Sequence, residues 1–377
     1  MKILIFINSL GAGGAERSMV ELAKFLTNKD DVFVIFVCLE RRCIGLEEEV
    51  EKCGIETIFF NRVNANWLEK VRFFKKVIKE EEPEIVHSVL AESNLILRLS
   101  RLFLKRGKIV QSLVNTPYSK ERKKDGNLSW RKFLLAKQRD KWTARLTANI
   151  FYHAITKEVL EHYRPMFNIK LNSRVIYRGR YENNNRKVIQ SGQGLRLINV
   201  GRQEFAKGQI DILKALVFIK DEFGISDINL EIYGRSGTSS AELEKFITHH
   251  SIEMQVKIEG FVSDVDKRLV NNDVFVFPSY YEGLGGALIE AFAAKLPCVC
   301  SDIPVLREVV GDEKGALFSP PGDYKLLAHN ILKLYNDKNL REEMGNYSFS
   351  RFKEAFQMEK INGEMFSMYK QLLTGKI

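Results

Sequence analysis

The stretch DVFVFPSYYEGLGGALIEAFAAKLPCVCSD, residues 273–302, divides into an apolar run (DVFVFPS), a glycine turn (YYEGLGG), a helical segment (ALIEAFAAK) and a second apolar run (PCVCSD). Runs that stay apolar at successive positions, with a helix between them, predict parallel strands covered on both faces. Moving outward, the alternation persists. RLINVGR (196–202), NLEIYG (229–234) and QVKIEGFV (255–262) predict further strands, and KGQIDILKALVFIKDEFG (207–224) a helix.

The first half has the same rhythm. KILIFI opens it as a strand, and GGAERSMVELAKFLTN follows as a glycine turn feeding a helix with Met19, Leu22, Ala23 and Leu26 on one side. DVFVIFVCL, EIVHSVL, KIVQSLV and ANIFYHAIT continue as strands, and the polar stretch YENNNRKVIQSGQG (181–194) reads as a linker. The expected fold is α/β: two tandem Rossmann-like, doubly wound domains facing across a cleft. The expected boundaries are 1–182 for the first domain, 183–350 for the second, and 351–377 for a helical segment packing back on the first. A length of 377 residues agrees, since about 150 residues make a domain.

Composition narrows the class. Apolar residues make up 45% and charged residues 28%, as in a soluble globular chain rather than a disordered or fibrous one. The five cysteines (38, 43, 53, 298, 300) show no metal-ligand spacing, so no metal site and reduced thiols are expected. The apolar run Ile3–Ile7 is too short for a signal peptide, and nothing approaches the roughly 18 apolar residues of a membrane span. The expected location is the cytoplasm, peripheral to the inner face of the membrane.

Net charge is +10, but residues 1–180 hold 34 Lys+Arg against 21 Asp+Glu while the remainder holds 24 against 27. The basicity therefore belongs to the first half and predicts a surface facing something anionic. Between Tyr118 and Arg145 there are ten basic and three acidic residues, interleaved with Trp130, Phe133, Leu134, Leu135 and Trp142, and RLSRLFLKRGK (98–108) repeats the mixture. That pattern fits an anionic bilayer; a solvated helix whose apolar side packs on its own domain is the alternative. A nucleic-acid surface lacks any accompanying recognition motif.

Ligands of doubly wound domains bind at the carboxyl ends of strands. Three segments fall there. GAGGAER (11–17) offers glycines and a helix start to an anion; it partly matches a dinucleotide fingerprint, with Glu40 as the ribose acid, but lacks the third glycine. VGRQEFAKG (200–208) places Arg202 and Lys207 beside glycines, where they suit a diphosphate or are ordinary solvated cations. In YYEGLGGALIEAF, Glu282 and Glu290 each offer a carboxylate to the vicinal hydroxyls of a sugar or ribose; alternatively, Glu290 is a buried partner of a lysine or arginine.

The pattern PSxxEGxGxxxxEAxAxxxP around Glu282 and Glu290, followed by SDIPVLREVV with Glu308 and then GxLFSPPGD, closely resembles the retaining glycosyltransferases of family 4, which have the GT-B fold. VGRQEFAKG resembles that family's Arg-x4-Lys stretch, and GGAERxxxxLAxxL its N-terminal glycine loop. The resemblance implies a hexosyltransferase with a UDP- or GDP-sugar donor, no metal or other cofactor, and a lipid-linked or saccharide acceptor in polysaccharide or lipopolysaccharide synthesis. It implies that Arg202 and Lys207 neutralise the diphosphate, Glu282 binds the transferred sugar and Glu290 the ribose. Amides of Leu284, Gly285 and Gly286, with Gly14 from the other domain, would meet phosphates and sugar. The turns at Gly234 and around Val262 would hold the base. Glu16 and Asn115 are expected at the acceptor.

Two departures stand out. Val114 precedes Asn115 where relatives carry His, which leaves His87 and His153 either as substitutes or as structural histidines, and Arg178 stands where relatives often have Asn. A nucleotide-sugar epimerase shares the architecture but gives no reason for the Arg-x4-Lys and Glu-x7-Glu pairing. A non-catalytic nucleotide-sugar or membrane-binding protein is the alternative outside enzymes.

Overall fold

The computed structural model describes residues 1–377 except 12, 43–44, 61, 63–64, 102–106, 121, 123–128, 148 and 186–193. Cys43, Lys123, Lys124, the middle of RLSRLFLKRGK and most of the expected linker lie outside the described residues.

The first unit comprises residues 1–119, 128–179 and 358–377. Its strands are β1 (Lys2–Ile7), β2 (Phe33–Cys38), β3 (Glu56–Phe59), β4 (Ile85–Val89), β5 (Lys108–Leu113), β6 (Ile150–Ala154) and β7 (Ser173–Val175). Between them run α1 (Gly14–Thr27), α2 (Glu47–Lys52), α3 (Trp67–Glu81), α4 (Ala91–Arg101), α5 (Trp130–Leu146) and α6 (Lys157–Phe167). The sheet is parallel, in the order β3-β2-β1-β4-β5-β6-β7. Met19, Leu22, Ala23 and Leu26 are buried, so the apolar stripe of α1 faces the core as its spacing predicts.

The second unit comprises residues 120–127 and 180–357. Its strands are β8 (Leu195–Val200), β9 (Ile228–Tyr233), β10 (Val256–Gly260), β11 (Val274–Phe277), β12 (Cys298–Ser301) and β13 (Ala316–Ser319). The helices are α7 (Gln209–Phe223), α8 (Ser240–His249), α9 (Val265–Val270), α10 (Gly286–Ala293), α11 (Pro304–Val310), α12 (Tyr324–Asn336) and α13 (Lys338–Ala355). The order β10-β9-β8-β11-β12-β13 repeats the pattern of the first sheet, again all parallel. The sheet order reverses between β1 and β4 in one unit and between β8 and β11 in the other, the places where such folds hold ligands. Cys298 and Cys300 are both fully buried in β12, and burial raises the Cys298 thiol well above its ordinary value.

The last helix, α14 (Met358–Leu373), belongs to the first unit, where Ile361, Met365, Met368, Tyr369 and Leu372 join the core beside Ile3, Ile5 and Ile7. The division falls at Gly179/Arg180 and again at Gln357/Met358, not at 182 and 350. Pairing is the reason. Arg180 N–H donates to the Phe356 carbonyl (2.8 Å), and Asn362 Nδ2 donates to the Glu21 carbonyl (3.3 Å), so residues 351–357 stay with the second unit while Met358 onward packs on the first. Among the described residues no helix is long and apolar enough to cross a membrane.

Candidate active site

In the second unit, Lys207 and Glu282 are held by two loops stitched together. VGRQEFAKG leaves β8, and its last residues form a short helical turn, Phe205–Lys207. Gln209 Nε2 donates to Asn199 Oδ1 (2.9 Å) and to the Gly201 carbonyl (3.1 Å), while Asn199 Nδ2 donates to the Val276 carbonyl of β11 (2.8 Å). These buried bonds fix the loop, since an unmet polar group in such a place costs about 1–3 kcal/mol. Gly208 has φ +60°, and a Cβ there would collide with the Pro278 carbonyl. Only glycine closes this turn without strain.

The YYEGLGG turn leaves β11 beside it. Tyr280 N–H donates to the Ala206 carbonyl (2.8 Å), and its ring stacks on Phe205 with centroids 4.7 Å apart. The Tyr280 hydroxyl donates to Asp211 Oδ2 at 2.8 Å, and burial is the main cause that raises the Asp211 carboxyl above its ordinary value. Between these braces Lys207 Nζ reaches Glu282 Oε1 at 2.6 Å, and Ser279 Oγ donates to the same oxygen at 2.9 Å. Arg202, the more exposed cation, pairs with Glu204 at 2.8 Å.

Gly285, with φ +82°, caps α10 and Leu284 is buried behind it, so α10 starts beside this pair. Glu290 lies in the second turn of α10 and accepts from Arg180 Nε at 2.7 Å, with 30% of its side chain exposed. Glu290 is thus paired with an arginine, as the alternative reading has it, although the residue is not fully buried. Gly234 and Val262 follow the ends of β9 and β10 in the same unit. The structure thus gathers Arg202, Lys207, Glu282, Leu284, Gly285, Gly286, Glu290, Gly234 and Val262 at the carboxyl edge of one sheet.

In the first unit, Gly14 is exposed as the first residue of α1, Glu16 lies half-buried in that helix's first turn, and Asn115 is exposed two residues past β5. His87 and His153 require a correction. They are 0% and 2% exposed, and all four ring nitrogens are engaged inside the unit. His87 Nδ1 lies 2.5 Å from the Tyr369 hydroxyl and its Nε2 2.7 Å from Ser112 Oγ. His153 Nδ1 lies 2.8 Å from Ser112 Oγ, and its Nε2 2.9 Å from the Ile176 carbonyl. Desolvation, with added repulsion from Arg178, holds the His153 imidazole down to about 4, and His87 is lowered well below its ordinary range, chiefly by burial. His87 ties α14 to the sheet through Tyr369 and Ser112, His153 ties β5 to the backbone at Ile176, and neither buried ring is open to an acceptor.

The basic segment is sorted by the fold. Phe133, Asp140 and Ala144 form the buried face of α5, and Asp140 pairs with the fully buried Arg98 (2.9 Å) while accepting from the Tyr118 hydroxyl (2.6 Å). Leu135, Trp142 and Leu146 stand on the opposite face, 71%, 62% and 67% exposed, among Arg131, Lys132, Arg139 and Arg145. Arg122, expected at the same surface, is instead half-buried with its guanidinium 5.4 Å from the Tyr281 ring centre. Arg180, the partner of Glu290, was not singled out by the sequence pattern. Its one signal is a cation directly after Gly179, where the chain enters the second unit.

Comparison with known proteins places these features. The family described as "Glycosyl transferases group 1" matches residues 181–351, and the one described as "Glycosyltransferase Family 4" matches residues 12–180. The chain is 25% identical over 372 residues (96% of this chain, 97% of the other) to the N-acetylgalactosamine-N,N'-diacetylbacillosaminyl-diphospho-undecaprenol 4-alpha-N-acetylgalactosaminyltransferase of Campylobacter jejuni. It is 27% identical over 377 residues (96% of this chain, 100% of the other) to the capsular polysaccharide biosynthesis glycosyltransferase CapH of Staphylococcus aureus. Among solved structures, Anabaena Alr3699/HepE in complex with UDP shares the fold with a TM-score of 0.82 at 18% identity, covering 98% of this chain and 100% of that one.

Proposed function

The chain belongs to glycosyltransferase family 4, with the two tandem Rossmann-like domains of the GT-B fold, and we propose that it transfers a sugar from a UDP- or GDP-sugar to a lipid-linked saccharide. The process served is bacterial cell-surface polysaccharide or lipopolysaccharide synthesis, in line with the activities of the Campylobacter and Staphylococcus relatives. The observation that carries the reading is the Lys207–Glu282 pair at the end of β8 and β11, with Arg202 and Glu290 on the same sheet edge.

Chemically, the bond between the anomeric carbon and the phosphate oxygen breaks, and a bond from an acceptor hydroxyl to that carbon forms. The hydroxyl proton passes to the departing phosphate, on the face the leaving group vacates, so configuration is retained. Arg202 and Lys207 take up the negative charge that develops on the diphosphate, a task a metal performs in other phosphoryl sites. Glu282 holds the transferred sugar by its hydroxyls and Glu290 the ribose. Neither carboxylate is needed as a nucleophile, and no metal or other cofactor is required. Asn115 and Glu16 are the acceptor-side residues.

We further propose that the outer face of α5 rests on the anionic inner surface of the cytoplasmic membrane. Asp140, the one acid of α5, is turned inward to Arg98, which leaves an outer face of exposed apolar side chains and cations. Each cation near such a surface contributes on the order of 1 kcal/mol.

The direct test is thermal stabilisation by UDP, GDP and ADP, followed by nucleotide release from the matching sugar donors with and without a lipid-diphosphate saccharide. A ligand at about 100 times its dissociation constant adds roughly 2.7 kcal/mol. Stabilisation by one diphosphate, with acceptor-dependent release, is expected. A protein indifferent to all three is not a transferase of this kind.

A further inference from the structure

Arg180 Nε donates to Glu290 Oε1 at 2.7 Å, and an added Cβ at Gly286 would collide with Arg180 Nη2. The guanidinium therefore lies between the carboxylate proposed for the ribose and the first residue of α10, where the diphosphate is expected. We infer that Arg180 is a donor-binding residue, the third cation, beside Arg202 and Lys207, that the diphosphate of a nucleotide sugar meets. This rests on the donor-site reading above.

Charge favours it. The ion pairs at this edge involve Arg180, Arg202 and Lys207 on one side and Glu290, Glu204 and Glu282 on the other. Removing Arg180 takes a positive charge from beside Glu290, which disfavours an incoming diphosphate. A guanidinium stays charged and carries five N–H donors in a planar fork, so it can serve a carboxylate and a phosphate together. Glu290 Oε2 then serves the ribose hydroxyls, and Arg180 fixes the carboxylate that does so. The glycine at 286 has its own reason in this arrangement: it leaves the volume that the guanidinium occupies.

The test compares wild type with Arg180→Gln, Arg180→Lys and Gly286→Ala. Calorimetry measures UDP, GDP and ADP, and saturation-transfer NMR measures uridine, guanosine and adenosine. For the base that binds, Arg180→Gln is expected to weaken the diphosphate about ten-fold or more, roughly 1.4 kcal/mol, and to weaken the nucleoside by clearly less, since only the bracing of Glu290 is lost there. Arg180→Lys recovers part of the loss because charge is kept and the fork is not. Gly286→Ala, which displaces the guanidinium while leaving it in the chain, moves affinity the same way as Arg180→Gln. Equal losses for nucleoside and diphosphate would make Arg180 only a positioning residue for Glu290 and overturn the inference, as would an unchanged diphosphate affinity. A wild type that binds no nucleoside diphosphate fails the donor reading itself, so the two failures are distinct.

Discussion

Lys207 Nζ and Glu282 Oε1 meet at 2.6 Å across 75 residues of sequence, each delivered by a loop that leaves a neighbouring strand of the second sheet. On the proposed reading this contact sets a cation for the leaving group beside a carboxylate for the sugar, an arrangement in which electrostatic stabilisation of a transition state needs little reorganisation.

Removing either member therefore has a stated consequence. Lys207→Ala and Glu282→Ala are each expected to lower kcat/KM for acceptor-dependent nucleotide release by about 10²-fold or more. Because the two touch, the double variant falls much less than the product of the single losses. Steady-state kinetics on all three proteins checks this, and full additivity contradicts a shared role.

Glu290 carries a sharper expectation. If its carboxylate holds ribose, the wild type prefers a nucleoside diphosphate over its 2′-deoxy analogue, and Glu290→Ala loses that preference. Charged-group hydrogen bonds of this type contribute about 1.5–3 kcal/mol, so the wild-type preference should be at least about ten-fold. Competition binding with both ligands reads it. A preference that survives in the variant assigns the ribose to another residue.

The buried histidines predict a pH dependence of stability. Both are neutral when folded, and the unfolded chain binds a proton at each as pH falls below about 6.5. With the folded value lowered, to about 4 for His153, the unfolded state carries more protons between those limits. Stability contributed by the neutral rings is thus complete above about pH 6.5 and is lost as pH drops from there toward 4. The slope is roughly 1.4 kcal/mol per pH unit for each ring. Urea unfolding of wild type and His153→Gln at pH 7 and pH 5 measures it, and the variant should show the shallower decline.

Arg98 and Asp140 form a buried pair, 1% and 9% exposed. Arg98→Met strands a carboxylate inside the first unit and is expected to cost about 3–5 kcal/mol, whereas Arg98→Met with Asp140→Leu recovers much of that loss. Denaturant midpoints distinguish the two. Equal destabilisation would show that the pair is not the organising element of α5.

The proposed membrane contact through α5 divides its apolar residues into two groups. Leu135→Ala with Trp142→Ala, or Arg131→Gln with Arg139→Gln, should weaken binding to anionic vesicles, by about five-fold for each cation removed, with little change in melting temperature. Phe133→Ala should do the opposite, because that ring is buried against its own unit. Vesicle sedimentation with phosphatidylglycerol and with neutral lipid reads both, and binding indifferent to lipid charge removes the proposal.

Much of this chain was legible as a string. Continuous apolar runs, glycine-punctuated turns and one-sided helices such as α1 carry their own periodicity, and short-range sterics turn that periodicity into strands and helices with little outside help. The positions of the candidate donor residues Arg202, Lys207 and Glu282 were legible for the same reason: they lie in the turns that leave β8 and β11, so locating the strand end locates them. Arg180, by contrast, is separated by 110 residues from Glu290. His87 and His153 occupy strands whose ends resemble ligand positions, but the register of β4, β5 and β6 and the docking of α14 turned their rings inward, with Tyr369 arriving from 282 residues away.

By itself the sequence determined which elements form, in what order, and that acids and cations stand at their carboxyl ends, because those properties depend on neighbours within a turn or two. Only the tertiary structure decided which cation each acid meets, which aromatic residues of α5 face outward, and where the chain passes back to its first unit. Those choices are made by packing and burial between segments far apart in the chain, where a single rotation of a helix or a shift in strand register changes every partner.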